Sequence, residues 1–483
     1  MKKLLSGTLA NLLLLQALAS CAADETENPV NNAGSVQTEA NETSSDTETE
    51  SDVPVFPEMT FNGEDICFLT EYRNGDIYAS IEIYAEGIDG TLINDAVYER
   101  NQLIEGQFDI LITQERLNNA DKVAATSILA QDNAYDVVMP YLNASTRNAL
   151  EGYYLDLNTV DNLHLENKWW DQNANETLRI KNKLYFSTGD ISILDNECML
   201  VLFFNKPMIR DFQLDSPYDL VKEGKWTIDV LQDMSETINH DLNGDGEMTL
   251  EDDRFGLYVF PNTPMALFFA SGEKITALDA EGNQQLVMYN ERSADVINRI
   301  MELTLSDNVI SGDYVLSEEA LMQGRLLFGA WALTEIASLR DSEQDFGILP
   351  FPKYDEAQER YHCIISTILT PMVSIPVTNA EPDKAGLILE AMAYYSVDTL
   401  THAYYDKALN GRYIRDTESS EMFDIMFASA VYDFGYIFNV GGLGNLLETM
   451  FNKKSTAFTS SYKRMSKKAL NEIETIFGEA AVN

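Results

Sequence analysis

The sequence predicts an α/β fold, and three of its features support this class. Tyr135–Pro140 is apolar on both faces and Met199–Phe204 is apolar throughout, as expected of strands buried within a sheet that is covered on both sides. Asn94–Gly106 and Asp121–Gln131 carry apolar residues at helical spacing, so helices alternate with strands. The chain has 483 residues, which is enough for roughly two or three domains around a large buried core.

The N-terminal segment predicts a secreted protein with a lipid anchor. Residues 1–20 contain a basic start and a short apolar stretch, which is typical of a signal peptide rather than a membrane-spanning helix. Small residues precede Cys21, an arrangement that resembles the bacterial lipobox, in which cleavage leaves a lipidated cysteine. An ordinary secretory signal with an incidental cysteine is the alternative. The lipobox interpretation places the protein on the extracellular face of the bacterial cell membrane, held by the acyl chains (palmitate) of Cys21.

The segment after the anchor predicts a tether. Ala22–Asp52 contains nine acidic residues, no Lys or Arg, and no aromatic residue. Such a composition cannot bury enough apolar area to offset its chain entropy, so residues 21–55 are expected to be disordered and extended by their own charge.

The charge of the whole chain narrows the choice of partners. The sequence has 33 basic and 78 acidic residues, which gives a formal net charge of −45. A surface this acidic argues against nucleic acid as a partner and disfavours anionic ligands. The mean hydropathy is −0.20, and only the N-terminus carries a long apolar segment.

The sequence contains no signature of covalent or metal-dependent catalysis. Its four histidines lack the spacing of a zinc site, and it has no glycine-rich phosphate loop or nucleophile elbow. With Cys21 assigned to lipid, Cys67, Cys198 and Cys363 remain, each within an apolar run. An odd number of widely spaced cysteines predicts buried free thiols. The sequence therefore offers no motif of these catalytic classes, and no organic cofactor is expected.

The folded body begins with a predicted β-hairpin. Ile66–Glu71 and Ile77–Ala85 have the pattern of strands, and Asn74–Gly75 between them is a turn signal. Further along, Tyr141 follows the apolar strand that ends at Pro140, so it is expected at the carboxyl edge of the sheet. Ligands bind at that edge in open α/β sheets, which makes Tyr141 a candidate ligand contact.

Residues 241–252 have the pattern of a calcium-binding loop. Oxygen-bearing side chains recur at alternating positions of a twelve-residue stretch, with a glycine at the sixth position for the sharp turn. The predicted ligands are Asp241, Asn243, Asp245, Glu247 and Asp252. A metal-free turn rich in Asp and Asn is the alternative. One structural Ca²⁺ would stabilise the fold, because nothing places this loop in a ligand cleft.

Trp331 is the principal candidate for ligand recognition. Arg325–Ala330 predicts a strand, and an amphipathic helix is predicted to start at Trp331, which puts the indole at the carboxyl end of the strand. An indole offers a wide apolar face with one polar edge, which suits the C–H face of a sugar ring. The alternative is that Trp331 belongs to the core. A stacking residue is expected to be partly exposed in the absence of ligand.

Several stretches resemble the extracellular solute-binding proteins of bacterial ABC importers, in particular the sugar-binding, maltodextrin-binding-protein-like group. Residues 321–354 resemble the inner-cleft segment of that family, whose matching tryptophan stacks on sugar. Residues 200–212 (LVLFFNKPMIRDF) resemble the segment that enters the second lobe, and Trp226–Thr227 before an amphipathic helix is typical of these proteins. Residues 370–396 resemble the return crossing. As an order of elements, the resemblance covers nearly all of residues 56–483.

The resemblance implies a periplasmic-binding-protein-like fold, with two α/β lobes, hinge crossings and a ligand cleft between the lobes. Lobe 1 would comprise residues 56–203 and 366–415, and lobe 2 residues 204–365 and 416–483. The lobes of such proteins close on a solute by a hinge motion.

Three carboxylates precede the predicted first crossing. Asp190, Asp195 and Glu197 are expected to face the hinge, where they could accept hydrogen bonds from sugar hydroxyls. Capping and turn formation by short acidic side chains is the alternative. For the nearby Trp169 and Trp170, packing is favoured over ligand contact.

The function implied by the resemblance is capture of an extracellular solute by a monomer and its delivery to the membrane permease of an ABC transporter. The expected solute is an oligosaccharide, and the resemblance implies no chemistry on it, so the chain is expected not to be an enzyme. Two other classes stay open. A surface adhesion or sensor lipoprotein would need no closable cleft, and a secreted glycan-active enzyme would need a pair of carboxylates in the cleft.

Overall fold

The structure is a computed structural model, and it describes residues 54–72, 78–339, 344–409 and 417–478. Phe56–Asn483 form one compact unit. The predicted signal peptide, the lipidation site Cys21 and nearly all of the predicted tether lie outside the described residues and stay predictions. Within the described ranges, no helix is both long enough and apolar enough to cross a membrane.

The first lobe is built on a three-stranded parallel sheet. Its elements up to the first crossing are β1 (Glu64–Glu71), α1 (Leu92–Phe108), β2 (Ile110–Leu117), α2 (Ala120–Ala130), β3 (Val137–Met139), α3 (Leu142–Leu150), α4 (Gln172–Thr177) and α5 (Leu194–Glu197). The strand order is β2-β1-β3, with Phe68 of β1 opposite Gln114 on one side and Val137 on the other. The predicted alternation of helices with buried parallel strands is confirmed.

The predicted hairpin is wrong for the residues that can be described. Residues 78–85 contain no strand, and β1 pairs with β2 and β3 instead. The fully buried guanidinium of Arg100, on α1, donates to the carbonyl oxygens of Glu82 and Ile83 at 2.8 and 3.0 Å. The Asn101 side chain donates to the Ile83 oxygen as well, at 2.9 Å. Side chains of α1 therefore bond the carbonyl groups that a neighbouring strand would have used.

The second lobe contains a five-stranded mixed sheet. Its elements up to the second crossing are β4 (Leu200–Asn205), α6 (Lys206–Asp211), α7 (Pro217–Lys222), α8 (Ile228–Ile238), β5 (Phe255–Tyr258), α9 (Thr263–Ala270), β6 (Thr276–Leu278), β7 (Gln284–Leu286), α10 (Glu291–Thr304), β8 (Val309–Ile310), α11 (Tyr314–Met322), β9 (Leu326–Ala332), α12 (Ile336–Leu339) and β10 (Phe346–Leu349). The strand order is β10-β4-β9-β5-β8, and β4 runs antiparallel to β9 and β10 while β5 runs parallel to β8 and β9. Both β4 and β9 are buried along nearly their whole length, so this sheet is the centre of the core.

Side-chain caps fix the starts of several helices in this lobe. In each case an Asn, Ser, Thr or Asp side chain accepts a hydrogen bond from a backbone N–H of the first turn, which would otherwise have no partner. The capping residues are Asn205, Ser216, Thr227, Asn290 and Asp313.

The rest of the chain contributes to both lobes. Its elements are β11 (Cys363–Ile364), α13 (Pro382–Ser396), α14 (His402–Leu409), α15 (Thr417–Phe427), β12 (Ala430–Val431), α16 (Phe434–Ile437), α17 (Leu446–Asn452) and α18 (Phe458–Phe477). Helix α13 packs against α1 of the first lobe, whereas α18 packs against β7 and α10 of the second. Because β4 belongs to the second sheet, residues 200–203 lie with lobe 2 rather than with lobe 1 as predicted; the other lobe limits stay predictions.

Two segments cross between the lobes side by side. Met199, before β4, forms a β-bridge with Ile365, and the Ser366 N–H donates to the Cys198 carbonyl at 3.1 Å. The second segment then runs antiparallel beside β3, where Ser374 and its partner on β3 exchange two backbone hydrogen bonds of 2.9 Å. Paired crossings of this kind can act as a hinge.

A buried carboxylate holds Trp169 and Trp170 in the first lobe. Glu390, on α13, is 1% exposed and accepts hydrogen bonds from both indole N–H groups, at 3.0 and 2.9 Å. The Asn167 side chain and the His164 N–H donate to the same carboxylate at 2.7 and 3.1 Å. Both indoles are buried, and their N–H groups donate to a carboxylate of the interior. The predicted structural role of the two tryptophans is therefore confirmed.

The three remaining cysteines are free thiols, as predicted. Cys198 and Cys363 are buried, whereas Cys67 on β1 is only partly buried. Burial raises the pKa of all three thiols, which keeps them protonated and poorly reactive at neutral pH.

Candidate functional site

A cavity of about 700 Å³ is bordered by residues of both lobes and of the second crossing. Its walls come from the first lobe (Tyr78 and Asn143), the second lobe (Phe260, Tyr314 and Glu335) and the crossing (residues 364–369). The lining combines aromatic rings and aliphatic side chains with hydroxyls, amides and carboxylates. Cavities with this mixture, in the range of about 300–1,000 Å³, are typical small-molecule sites.

Two stacked aromatic rings form one wall of the cavity. Phe260 follows β5 and Tyr314 begins α11; their ring centroids are 6.0 Å apart and their planes differ by 18°. Both side chains are partly exposed, and Tyr436 on α16 adds a third partly exposed ring to the lining. Together they offer flat apolar surface beside hydroxyl groups.

Glu335 is the polar centre of the cavity. It ends the 3-10 turn Leu333–Glu335 that follows β9. One carboxylate oxygen accepts a hydrogen bond of 3.3 Å from the Tyr78 phenol, and the other accepts one from the Tyr314 phenol. The Thr334 hydroxyl lies 3.4 Å from the Tyr78 phenol oxygen. Because Tyr78 belongs to the first lobe and Glu335 to the second, these bonds span the space between the lobes.

Burial controls the titration of these groups. It raises the pKa of the Glu335 carboxyl, and the hydrogen bonds from Tyr314 and Tyr78 oppose that rise. It also raises the pKa of Tyr78 to about 12. The pKa of Tyr314 is raised by burial and by its bonds to Glu335 and Glu318, which hold the phenol proton in place. Both tyrosines are therefore hydrogen-bond donors at neutral pH.

The second crossing is attached to the start of α3. The N–H groups of Leu142 and Asn143 donate to the carbonyl oxygens of Thr370 and Thr367, at 2.8 and 2.9 Å. These N–H groups belong to the first turn of a helix and have no partner within it. Within the same crossing, Ile368 is 53% exposed and lines the cavity.

Trp331 borders the cavity, but its side chain is completely buried. It lies inside β9 rather than at the start of a helix, and its exposed fraction is 0%. The indole stacks on Tyr258, with centroids 5.9 Å apart, and lies over Gly329, where a Cβ would come within 2.0 Å of the ring. The predicted partial exposure is therefore wrong, because the sheet continues through Trp331 and both ring faces are covered. Contact with a ligand stays a prediction.

Tyr141 supports the cavity from behind. It immediately precedes α3, and its phenol donates to the backbone carbonyl of Tyr78 at 3.1 Å. Tyr141 thereby helps to place a lining residue but is not itself part of the lining. Its assignment as a ligand contact stays a prediction.

The three predicted hinge carboxylates also lie outside the cavity lining. Asp190 accepts a hydrogen bond of 2.8 Å from Thr401, and burial raises its pKa to about 6. Asp195 is 5% exposed and accepts one of 3.1 Å from Thr188, and burial raises its pKa well above the ordinary value. Glu197 is partly buried at the end of α5. The structure thus places them beside the crossing, and ligand contact by them stays a prediction.

The predicted calcium loop is exposed and is held by hydrogen bonds of its own. Asp241 accepts from the N–H groups of Gly244 and Gly246 at 2.6 and 2.9 Å, and Asp245 accepts from that of Glu247 at 2.7 Å. Among the described residues, no three His, Cys, Asp or Glu side chains form a group that could hold a metal ion. The oxygen donors suit Ca²⁺ chemically, and the calcium assignment stays a prediction.

The residues that build the cavity come from distant parts of the chain, which is why sequence reasoning missed them. Tyr78, Phe260, Tyr314, Glu335 and Tyr436 share no local pattern. One signal was available: Phe260 follows a strand of the central sheet, so it satisfies the same carboxyl-edge rule that pointed to a tryptophan.

No protein-family model matches the sequence, and no curated protein sequence is similar to it. Solved structures do match. The cyclic α-maltosyl-1,6-maltose binding protein from Arthrobacter globiformis aligns with a TM-score of 0.54 and 12% identity, over 85% of this chain and 99% of that one. The GacH receptor of Streptomyces glaucescens, solved unliganded and with acarbose, aligns with a TM-score of 0.53 and 13% identity, over 86% and 99%.

An ABC substrate-binding protein from Listeria monocytogenes, in complex with cycloalternan, aligns with a TM-score of 0.52 and 12% identity, over 86% of this chain and 99% of that one. At such low identity, these similarities establish the fold. The chain has the fold of ABC substrate-binding proteins, with two α/β lobes and a cleft between them, as the sequence resemblance implied.

Proposed function

We propose that this protein binds an oligosaccharide in the cavity between its lobes and leaves the sugar chemically unchanged. The observation that carries the proposal is the stacked, partly exposed pair of Phe260 and Tyr314 beside the Glu335 carboxylate. Aromatic faces pack on the C–H faces of sugar rings, and a carboxylate accepts hydrogen bonds from sugar hydroxyls. The proteins of the same fold solved with cycloalternan and with acarbose support this class of ligand.

The paired crossings support the proposal, because they would act as the hinge that capture requires. Because they lie next to each other, at Met199 and Ile365, small backbone rotations there could swing one lobe relative to the other. The cavity is bounded by both lobes, so such a rotation would open and close it. In the cell, the bound sugar would then pass to the permease of an ABC transporter.

A lipid on Cys21 would hold the protein at the extracellular face of the membrane, with the acidic segment as its tether. The lipobox-like start of the chain supports this part of the proposal. Cys21→Ala should release the protein from the membrane fraction without changing its thermal unfolding. Persistent attachment of the variant would rule out the lipid anchor. Deleting the gene should abolish uptake of the bound sugar, and normal uptake would contradict delivery to a permease.

The binding proposal is tested with a panel of neutral oligosaccharides, including maltotriose, maltotetraose and raffinose. A sugar at one hundred times its dissociation constant stabilises the folded state by about 2.7 kcal/mol, which a thermal-shift screen detects. Calorimetry on Phe260→Ala and Tyr314→Ala should then show affinity lower by roughly tenfold or more. Tyr289→Ala is the matched control, because Tyr289 is 42% exposed and stacks on Tyr462 outside the cavity.

Three results would contradict the proposal. The first is that no sugar in a broad panel raises the melting temperature. The second is wild-type affinity in both Phe260→Ala and Tyr314→Ala. The third is recovery of shortened sugars after incubation, which would favour a glycan-active enzyme. Scattering with and without sugar separates a transport receptor from an adhesion or sensor protein, because closure of the lobes should make the molecule more compact.

A further inference from the structure

Glu335 retains acceptor capacity that its two tyrosine partners do not use. An ionised carboxylate offers about four lone-pair sites, and Tyr78 and Tyr314 each donate one proton. Tyr314 also lies 2.7 Å from a carboxylate oxygen of Glu318, and one phenol proton cannot serve both carboxylates at once. Glu335 lines the cavity, and in its ionised form it therefore keeps at least two acceptor positions that the two tyrosines do not occupy.

A second carboxylate borders the same space. Glu448 lies in the first turn of α17 and lines the cavity together with Glu335. Their negative charges favour hydroxyl and ammonium donors, which form charge-assisted hydrogen bonds with carboxylates. They disfavour an anionic ligand, because like charges repel strongly in a partly desolvated site.

We propose that Glu335 determines the specificity of the cavity, by selecting glycans that present hydroxyl or amine donors and rejecting glycans that carry carboxylates. The ligand class is therefore a neutral or amine-bearing oligosaccharide rather than a uronic-acid one. This inference rests on the proposed function and deepens it. Tyr78 and Tyr314 act as positioning residues, because they hold the Glu335 carboxylate from the two sides of the cavity.

The test compares each neutral sugar that binds with its own acidic form. For maltotriose, the probe is the same sugar oxidised to a carboxylate at C6. On the wild type, calorimetry should show the acidic form bound at least about tenfold more weakly than the neutral one. Glu335→Gln keeps the shape but removes the charge, so affinity for the neutral sugar should fall and the preference over the acidic form should shrink by about tenfold.

Glu319→Gln is the control with the same change of charge. Glu319 is exposed on α11 and lies outside the cavity lining, so this variant should keep the wild-type preference. Glu335→Asp is a second variant in case the first fails to fold; it keeps the charge and should retain the preference at lower affinity.

Two outcomes overturn the inference, and they differ from failure of the proposed function. If the wild type binds the neutral and acidic forms with equal affinity, Glu335 does not determine specificity, although the protein still binds sugar. A wild-type preference that survives in Glu335→Gln would assign the selection to another residue. If no sugar binds at all, the proposed function fails, and the inference fails with it.

Discussion

At the scale of single residues, Trp331 and Gly329 depend on each other. The indole of Trp331 occupies the space that a side chain at Gly329 would fill, and it also stacks on Tyr258. Trp331→Ala should therefore leave a large hole in the core and lower the free energy of unfolding by about 3–5 kcal/mol. Trp331→Phe should cost less, since part of the ring volume remains. Urea unfolding monitored by far-UV circular dichroism measures both.

Gly329→Ala tests the same contact between the Trp331 ring and Gly329 by changing the glycine. A Cβ at Gly329 would come within 2.0 Å of the Trp331 ring, so this small substitution should also destabilise the protein. A Trp331→Ala variant that unfolds like the wild type but no longer binds sugar would show the reverse, namely that the indole is a ligand contact.

The chemistry of individual residues was easier to predict than their exposure. Trp331 met the local criteria for a stacking residue: it is aromatic and lies near the end of a strand. Its burial depends on Tyr258, which lies on another strand, and only the glycine two positions earlier was a local clue. Phe260 and Tyr314 form a partly exposed pair instead, and they become neighbours only when the segment after β5 meets the start of α11 in the folded protein.

At the scale of elements, burial on both faces made the strands predictable. The buried strands β1, β3 and β4 were found because their apolar runs are continuous. The strand predicted before α1 was wrong, because an alternating pattern also suits an irregular segment whose carbonyl groups accept hydrogen bonds from side chains. Arg100 bonds two of them. Arg100 lies on a helix further along the chain, and nothing in the sequence indicates that its side chain reaches these carbonyl groups.

The loop at residues 241–252 is predicted to bind Ca²⁺, which can be tested by removing the metal. If it holds Ca²⁺, a chelator should lower the melting temperature of the wild type, because the bound metal stabilises only the folded state. Asp241→Ala/Asp245→Ala should melt at the same temperature with and without chelator. Differential scanning calorimetry provides the comparison.

Asp279→Ala is the matched control for the calcium prediction. Asp279 also accepts backbone N–H groups in an exposed turn, from Glu281 and Asn283, but it lies outside residues 241–252. This variant should lose some stability and keep the chelator effect. An equal chelator effect in the wild type and in Asp241→Ala/Asp245→Ala would assign the metal to another place.

At the scale of the whole molecule, acidity affects the interior as well as the surface. Glu82 is completely buried, and burial raises its pKa to about 7 from the ordinary 4.5. Because the folded pKa lies above the unfolded one, Glu82 contributes no penalty while it is neutral at low pH. Its cost accumulates as pH rises from the unfolded pKa of 4.5 to the folded pKa of about 7, because over this range the unfolded chain has released the proton that the folded state still holds. Asp190, with a pKa of about 6, acts in the same direction.

The free energy of unfolding should therefore fall between about pH 4.5 and pH 7, by roughly 3 kcal/mol or less from Glu82, and should level off above that range. Glu82→Gln should flatten this dependence, whereas Glu86→Gln removes an exposed charge from the same segment and should leave it in place. Urea titrations at four pH values give the slopes. Parallel curves for the wild type and Glu82→Gln would show that the buried carboxyl is not the cause.

All four tryptophans are buried, with exposed fractions between 0% and 4%. Trp169, Trp170, Trp226 and Trp331 therefore emit from an apolar environment, and their fluorescence should shift to longer wavelength only when the chain unfolds. The partly exposed rings of the cavity are tyrosine and phenylalanine. Tryptophan emission is thus a good reporter of unfolding. For the proposed sugar binding, a screen that relied on tryptophan quenching would depend on Trp331 alone, because the other three tryptophans lie outside the cavity lining.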